Sequence, residues 1–237
     1  MTVTVTLTKQ PELYLEADQI TPDVFAGKTL DEIGAIFISE GKVKYPLSEF
    51  ATIEGAAGET AADTKIVLKG DWTKVKRIGQ QMTAGEIVIE SDADMYIGGW
   101  MKGGKLTVNG NVDSFCGIAM AGGELVVNGN AQNHVGSAYR GDWRGMTGGT
   151  LRVKGNVGND IGTFMRGGTI IVEGDAFIHV LTHGEGGTII VKGNIEGRVG
   201  GQAVKGDVYV NGKIDFMMPG FAYVDDVECE VDGETAV

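Results

Sequence analysis

Few side chains in this sequence are of the kinds that do chemistry. Three histidines, His134, His179 and His183, and two cysteines, Cys116 and Cys229, are the candidate ligands and nucleophiles. Two thiols neither hold an iron–sulfur cluster alone nor form a structural zinc motif. Cys229 lies in an acidic tail, which raises rather than lowers a thiol pKa. The stretch Gly184 to Gly187 has the glycines of a phosphate loop but no P-loop lysine pattern and opens no helix. No Ser-His-Asp set, metal-ligand cluster or nucleotide fingerprint is legible. A different chemistry is concentrated in SAYRGDWRGM, Ser137 to Met146, which brings together Tyr139, Arg140, Asp142, Trp143 and Arg144. Trp, Tyr and Arg dominate the energetics of protein–protein contacts, so these five are the candidate partner-binding residues. The rival reading is a loop that packs on itself.

What must position these residues is a repeat. GGKLTVNGN at 103 returns as GGELVVNGN at 122. The glycine closing each phrase falls at Gly70, then Ser91 in its place, then Gly110, Gly129, Gly155, Gly174, Gly193 and Gly212. The steps are 21, 19, 19, 26, 19, 19 and 19, and the long one contains the Ser137–Met146 insertion. A fixed period near twenty is the mark of a solenoid. Four and two residues before that glycine stand apolar columns, such as Leu106 and Val108, flanking a variable position: a strand with alternate side chains inward. Further on come an inward column of Ile78, Ile97, Cys116, Val135, Ile161, Val180 and Val199, and a Met column of Met82, Met101, Met120, Met146 and Met165. Cys116 and the methionines are therefore expected to pack the core. Gly117, Gly136 and Gly162 follow the inward column, with Leu181 out of pattern. These glycines, with Gly110, Gly129, Gly155, Gly174 and Gly193, are expected to form the corners through positive φ. Asn or Asp after the closing glycine suggests side-chain ladders. His134, Asp160 and His179 share a column with Arg77, Tyr96, Phe115 and Arg198. Two coils separate the histidines by about 10 Å, against about 4 Å between ligands of one metal. That column reads as a chemically varied outer face.

The expected architecture is all-β: a single-stranded β-helix, or β-solenoid, of about seven coils over residues 63–214. A strand-rich segment, 1–62, precedes it, with a capping box at Thr29 to Glu32. A C-terminal cap and tail, 215–237, follows. The net charge of −12 argues against nucleic acid or an anionic membrane as partner. No signal-peptide pattern opens the sequence and no apolar run approaches membrane-spanning length, so a cytoplasmic chain is expected.

The coil G-x-[LI]-x-V-x-G, followed by [IV]-G, resembles the GXGXG β-helix. That domain occurs at the C-terminus of the large glutamate synthase subunit and in the C subunit of formylmethanofuran dehydrogenase. PLSEFATIEG (Pro46 to Gly55), YRGDWRGMTGG (Tyr139 to Gly149) and MPGFAYV (Met218 to Val224) resemble segments of the second family. The resemblance implies a non-catalytic scaffold subunit, with no cofactor, metal or catalytic residue in this chain. It implies a complex that reduces CO2 with ferredoxin electrons and forms formylmethanofuran, the first step of methanogenesis. Its other subunits would carry a tungsten- or molybdenum-pterin site, a binuclear metal amidohydrolase site and iron–sulfur clusters. Two alternatives stay open: the C subunit of a formyltransferase/hydrolase complex, and a stand-alone β-helical binding protein.

Overall fold

The computed structural model describes residues 1–222, 224, 229–231 and 233–236. The side chain of Cys229 and part of the expected C-terminal cap lie outside them. Each repeated phrase forms one rung. Eight strands stack in parallel from Lys65–Lys69 through Glu86–Ile89, Lys105–Val108, Glu124–Val127, Thr147–Val153, Arg166–Val172 and Glu185–Val191 to Lys205–Val210. The register is in phase: Leu106 pairs with Ile87 on one side and Leu125 on the other. Period-two alternation then sends Ile66, Leu68, Ile87, Ile89, Leu106, Val108 and their successors through Val191 into a fully buried interior.

The sequence columns continue around the coil. Ile78, Ile97, Cys116, Val135, Ile161 and Val180 are buried, as are all five residues of the Met column. A further inward column, not anticipated from sequence, consists of Trp72, Ala93, Val112, Ala131, Val157, Ala176 and Ile195. Its members bridge coil to coil in parallel. Mixed sizes, directly after the Asn/Asp position, hide it from a hydropathy scan.

The Asn/Asp ladder forms. Oδ1 of Asp92, Asn111, Asn130, Asn156, Asp175 and Asn194 each accepts the backbone N–H of the counterpart residue one coil on, at 2.7–2.9 Å. This corrects one expectation about glycine. Gly110, Gly129, Gly155, Gly174 and Gly193 do not have positive φ. They are needed because a Cβ would occupy the place of the ladder oxygen: at Gly129 it would sit 2.6 Å from Asn111 Oδ1. Gly117, Gly136 and Gly162 do have positive φ. Their column is also crowded. A Cβ on Gly117 would collide with Cδ1 of Leu151, and one on Gly162 would lie 2.7 Å from Cδ1 of Ile189. Leu181 takes this position at φ 57. The corresponding strand residue is Val208, one carbon shorter, and the two side chains line one cavity.

The N-terminal segment is part of the stack. Thr2–Leu7 adds to Lys65–Lys69 in parallel, with Val3 opposite Ile66 and Val5 opposite Leu68. Ala51–Gly55 then closes this edge antiparallel. Behind it lies the short helix Leu30–Gly34, whose Thr29/Glu32 capping box is formed. The link to the first rung, GAAGETAAD (Gly55 to Asp63), is tied by Thr64, whose hydroxyl donates to Thr60 O at 2.8 Å and accepts Gly58 N–H at 3.0 Å. At the other end, no strand among the described residues pairs with the outer edge of Lys205–Val210. Val208 and Val210 are only half-buried, and an apolar cavity of about 540 Å³ lies among Val208, Val210, Ile214, Met217 and Phe221.

Leu106→Asp places an unpaired charge between two coils. It is expected to abolish cooperative thermal unfolding by circular dichroism; a native-like melt would contradict the buried stack. Gly117→Ala combines a left-handed backbone with overpacking, each costing about 1–3 kcal/mol. The expected fall in Tm is roughly 5–15 °C.

Candidate functional site

The outer-face column supplies the main surprise in backbone conformation. Arg77, Tyr96, Phe115, His134, Asp160, His179 and Arg198 all have positive φ, between 58 and 67°. Such a backbone costs a non-glycine residue about 1–2 kcal/mol. What holds it is the next coil. The N–H of each of these seven residues donates to a carbonyl one coil on, from Arg77 to Met95 O at 3.0 Å through Arg198 to Phe216 O at 3.2 Å. Successive side chains therefore leave the coil in the same direction and stack.

The contacts form two runs, one from Arg77 to His134 and one from Asp160 to Arg198. Glu16 pairs with Arg77, and the Arg77 guanidinium lies 4.7 Å above the Tyr96 ring. Tyr96 stacks on Phe115 with centroids 5.0 Å apart, and Phe115 on His134 at 4.6 Å. His179 Nδ1 lies 3.5 Å from Asp160 Oδ1. Arg198 Nη1 lies 3.1 Å from His179 Nε2. Arginine only donates, so Nε2 accepts and the ring proton sits on Nδ1, facing Asp160. Each aromatic pair adds about 0.5–1.5 kcal/mol beyond its burial.

A second left-handed column runs beside the first: Gln81, Trp100, Ala119, Phe164, His183 and Gln202. His183 stacks on Phe164 at 4.7 Å. This column was not anticipated from the sequence, although its members recur at 19-residue spacing on either side of the insertion.

The inserted segment emerges between these columns. Tyr139 packs against Trp100 and Tyr96, with centroids 5.5 and 6.2 Å apart. Arg140 lies 5.6 Å from the Phe115 ring. Asp142 holds Arg144 at 3.1 Å, and this hydrogen bond keeps the Asp142 carboxyl below the usual range. The first half of the loop is thus self-packed, whereas Trp143 is 64% exposed.

Cys116 is buried, which pushes its thiol up to about 12. Asp94 is raised from the carboxylate range, chiefly by burial. Burial also lowers His134, against the pull of Asp160, which raises it, and with a smaller push downward from Arg140. Among the described residues, no group of three or more His, Cys, Asp or Glu side chains is placed to hold a metal. None of their helices is long and apolar enough to cross a membrane.

No protein-family model matches the chain. Against curated proteins, 96 residues are 49% identical to the C subunit of the tungsten-containing formylmethanofuran dehydrogenase 2 of Methanothermobacter thermautotrophicus, covering 40% of this chain and 36% of that one. The C subunit of the molybdenum-containing formylmethanofuran dehydrogenase 1 of Methanosarcina barkeri is 49% identical over 89 residues, 38% of this chain and 30% of that one. Over those residues the chain is similar to both C subunits. The matched segment spans about a third of the length of the curated relatives. Among solved structures, a chain of the formyltransferase/hydrolase complex FhcABCD from Methylorubrum extorquens, in complex with methylofuran, superposes with a TM-score of 0.83. It is 25% identical, and the match covers 91% of this chain and 79% of that one. The likeness in sequence to the dehydrogenase subunits thus coincides with a likeness in fold over nearly the whole chain.

The His134 environment gives a signed test. Arg140→Ala should raise its pKa and Asp160→Asn should lower it, followed by NMR titration of the ring. Its folded-state pKa lies below the unfolded value of 6.5. The associated stability is therefore present above that value and lost as pH falls through the folded pKa.

Proposed function

We propose that the chain is the non-catalytic scaffold, the C subunit, of a formylmethanofuran dehydrogenase, the cytoplasmic complex that reduces CO2 and forms formylmethanofuran at the start of methanogenesis. The sequence identity of 49% to the C subunits of both the tungsten- and the molybdenum-containing enzymes carries this reading. The partners would be a pterin-metal catalytic subunit, an amidohydrolase-like subunit and ferredoxin-like subunits. The tungsten or molybdenum, binuclear metal and iron–sulfur chemistry would reside in those chains. This one would contribute geometry: seven steps between eight rungs make a rod roughly 34 Å long whose outer columns cannot shift independently. A partner docked on one coil would be held at a set distance from a partner docked on another. The loop Tyr139, Arg140, Asp142, Trp143 and Arg144 would be one contact, with the exposed Trp143 as the anchor and the Tyr139–Trp100 pair pinning the base of the loop.

A second reading, the scaffold of a formyltransferase/hydrolase complex, is favoured by the fold match to the FhcABCD chain. Affinity purification of the intact complex distinguishes the two. Recovery of a metal-loaded pterin subunit with ferredoxin-like chains supports the dehydrogenase. An amidohydrolase with an empty pterin subunit supports the hydrolytic complex. In either case Trp143→Ala with Arg144→Ala should lower the yield of assembled complex on gel filtration about tenfold or more, while the Tm of the free chain stays within about 2 °C. Unchanged assembly would remove the loop from the interface.

A further inference from the structure

The two ends of the stacked outer column are finished differently. At the first coil the cation Arg77 is capped by the Glu16 carboxylate. At the last, Arg198 is exposed, and its hydrogen-bond partner among the described side chains is a neutral acceptor, His179 Nε2. No carboxylate within ion-pairing distance of Arg198 is found among the described residues.

The neighbouring column is unfinished at the same place. In the coils before it, the N–H of Gln81, Trp100, Ala119, Phe164 and His183 donates to a backbone carbonyl one coil on, at 2.7–2.9 Å. The N–H of Gln202, the next in the series, has no such acceptor among the described residues. Both residues line one open pocket of about 490 Å³, together with His179, Thr182, Gly201, Phe216, Met218 and Pro219. Phe216 is 57% exposed there.

We propose that this pocket docks an extended acidic segment of a partner protein. A side-chain carboxylate of the segment pairs with Arg198. A backbone carbonyl accepts the Gln202 N–H, in the role that the following coil plays for the earlier members of the column. An adjacent apolar side chain lies on Phe216, Met218 and Pro219. The free N–H calls for a peptide rather than a small anion, because in every earlier coil that donor meets a peptide carbonyl. The unneutralised guanidinium selects a carboxylate, in a chain whose net charge of −12 otherwise repels acidic peptides. The Asp160–His179 pair holds Arg198 from behind through one of its donors, and the others meet no acceptor among the described residues. The inference is independent of which assembly the chain enters.

The test measures fluorescence anisotropy of a fluorescein-labelled hexapeptide of alternating leucine and glutamate against the full chain. Saturable binding is expected, with no binding of the leucine–glutamine counterpart. Arg198→Ala should weaken binding about tenfold. Lys102→Ala, which removes a cation from another coil, should leave it unchanged. Arg198 is exposed, so the variant is expected to keep the wild-type melt. Equal binding by wild type and Arg198→Ala, absence of saturation, or binding of the glutamine peptide overturns the proposal. So does a tenfold rise in affinity when Asp225, Asp226 and Glu228 are replaced by amides, since the occupant would then be the chain's own tail.

Discussion

Each coil passes its backbone N–H groups to the carbonyls of the next, and the rest of the molecule depends on that transfer. It forces equivalent residues to lie one above another, so the interior consists of columns rather than of pairwise contacts. It also sustains two rows of non-glycine residues with positive φ, a conformation that would be costly in an isolated coil. The hydrogen bond to the following coil offsets that cost, because the donor would otherwise be unpaired against the neighbouring turn. Stability is therefore cooperative along the axis: a coil without a neighbour loses its backbone partners, its side-chain stack and half of its core contacts together.

The same transfer shapes the surface. Because the left-handed rows point their side chains outward in register, Arg77, Tyr96, Phe115 and His134 become a stacked series instead of separate surface groups. The inserted loop leans on this series through Tyr139 and Arg140 and leaves Trp143 projecting. An exposed tryptophan on a loop whose base is pinned by aromatic contacts suits a protein–protein contact, since less loop freedom remains to be lost on docking. The ends differ in the same terms. The first rung is covered by Thr2–Leu7 and Ala51–Gly55, whereas Val208 and Val210 of the last rung keep a half-open apolar face.

Much of this was legible in the residues. The 19-residue spacing places Leu106 under Leu125, and the structure pairs them. The inward lie of Cys116 and the methionines follows from their columns, and their burial agrees. Other features were not legible. The column from Trp72 to Ile195 mixes residue sizes, so hydropathy alone does not mark it. Glycine was the natural choice for positive φ, yet Gly129 is required for clearance, while Phe115 and His134 adopt the left-handed backbone. No local signal distinguishes those cases, because the deciding partner is a carbonyl or an amide oxygen one coil away.

From the sequence alone come the period, the identity of the strand and methionine columns, and the place where the repeat is interrupted. These depend on side-chain polarity and spacing, which are properties of the chain itself. Tertiary structure decided which residues take the left-handed backbone, that Tyr139 and Arg140 fold back while Trp143 is exposed, and that Arg198 and Gln202 keep donors unused among the described residues. Those outcomes depend on what the adjacent coil presents at a distance of one hydrogen bond, and a linear pattern does not encode that until the coils are stacked.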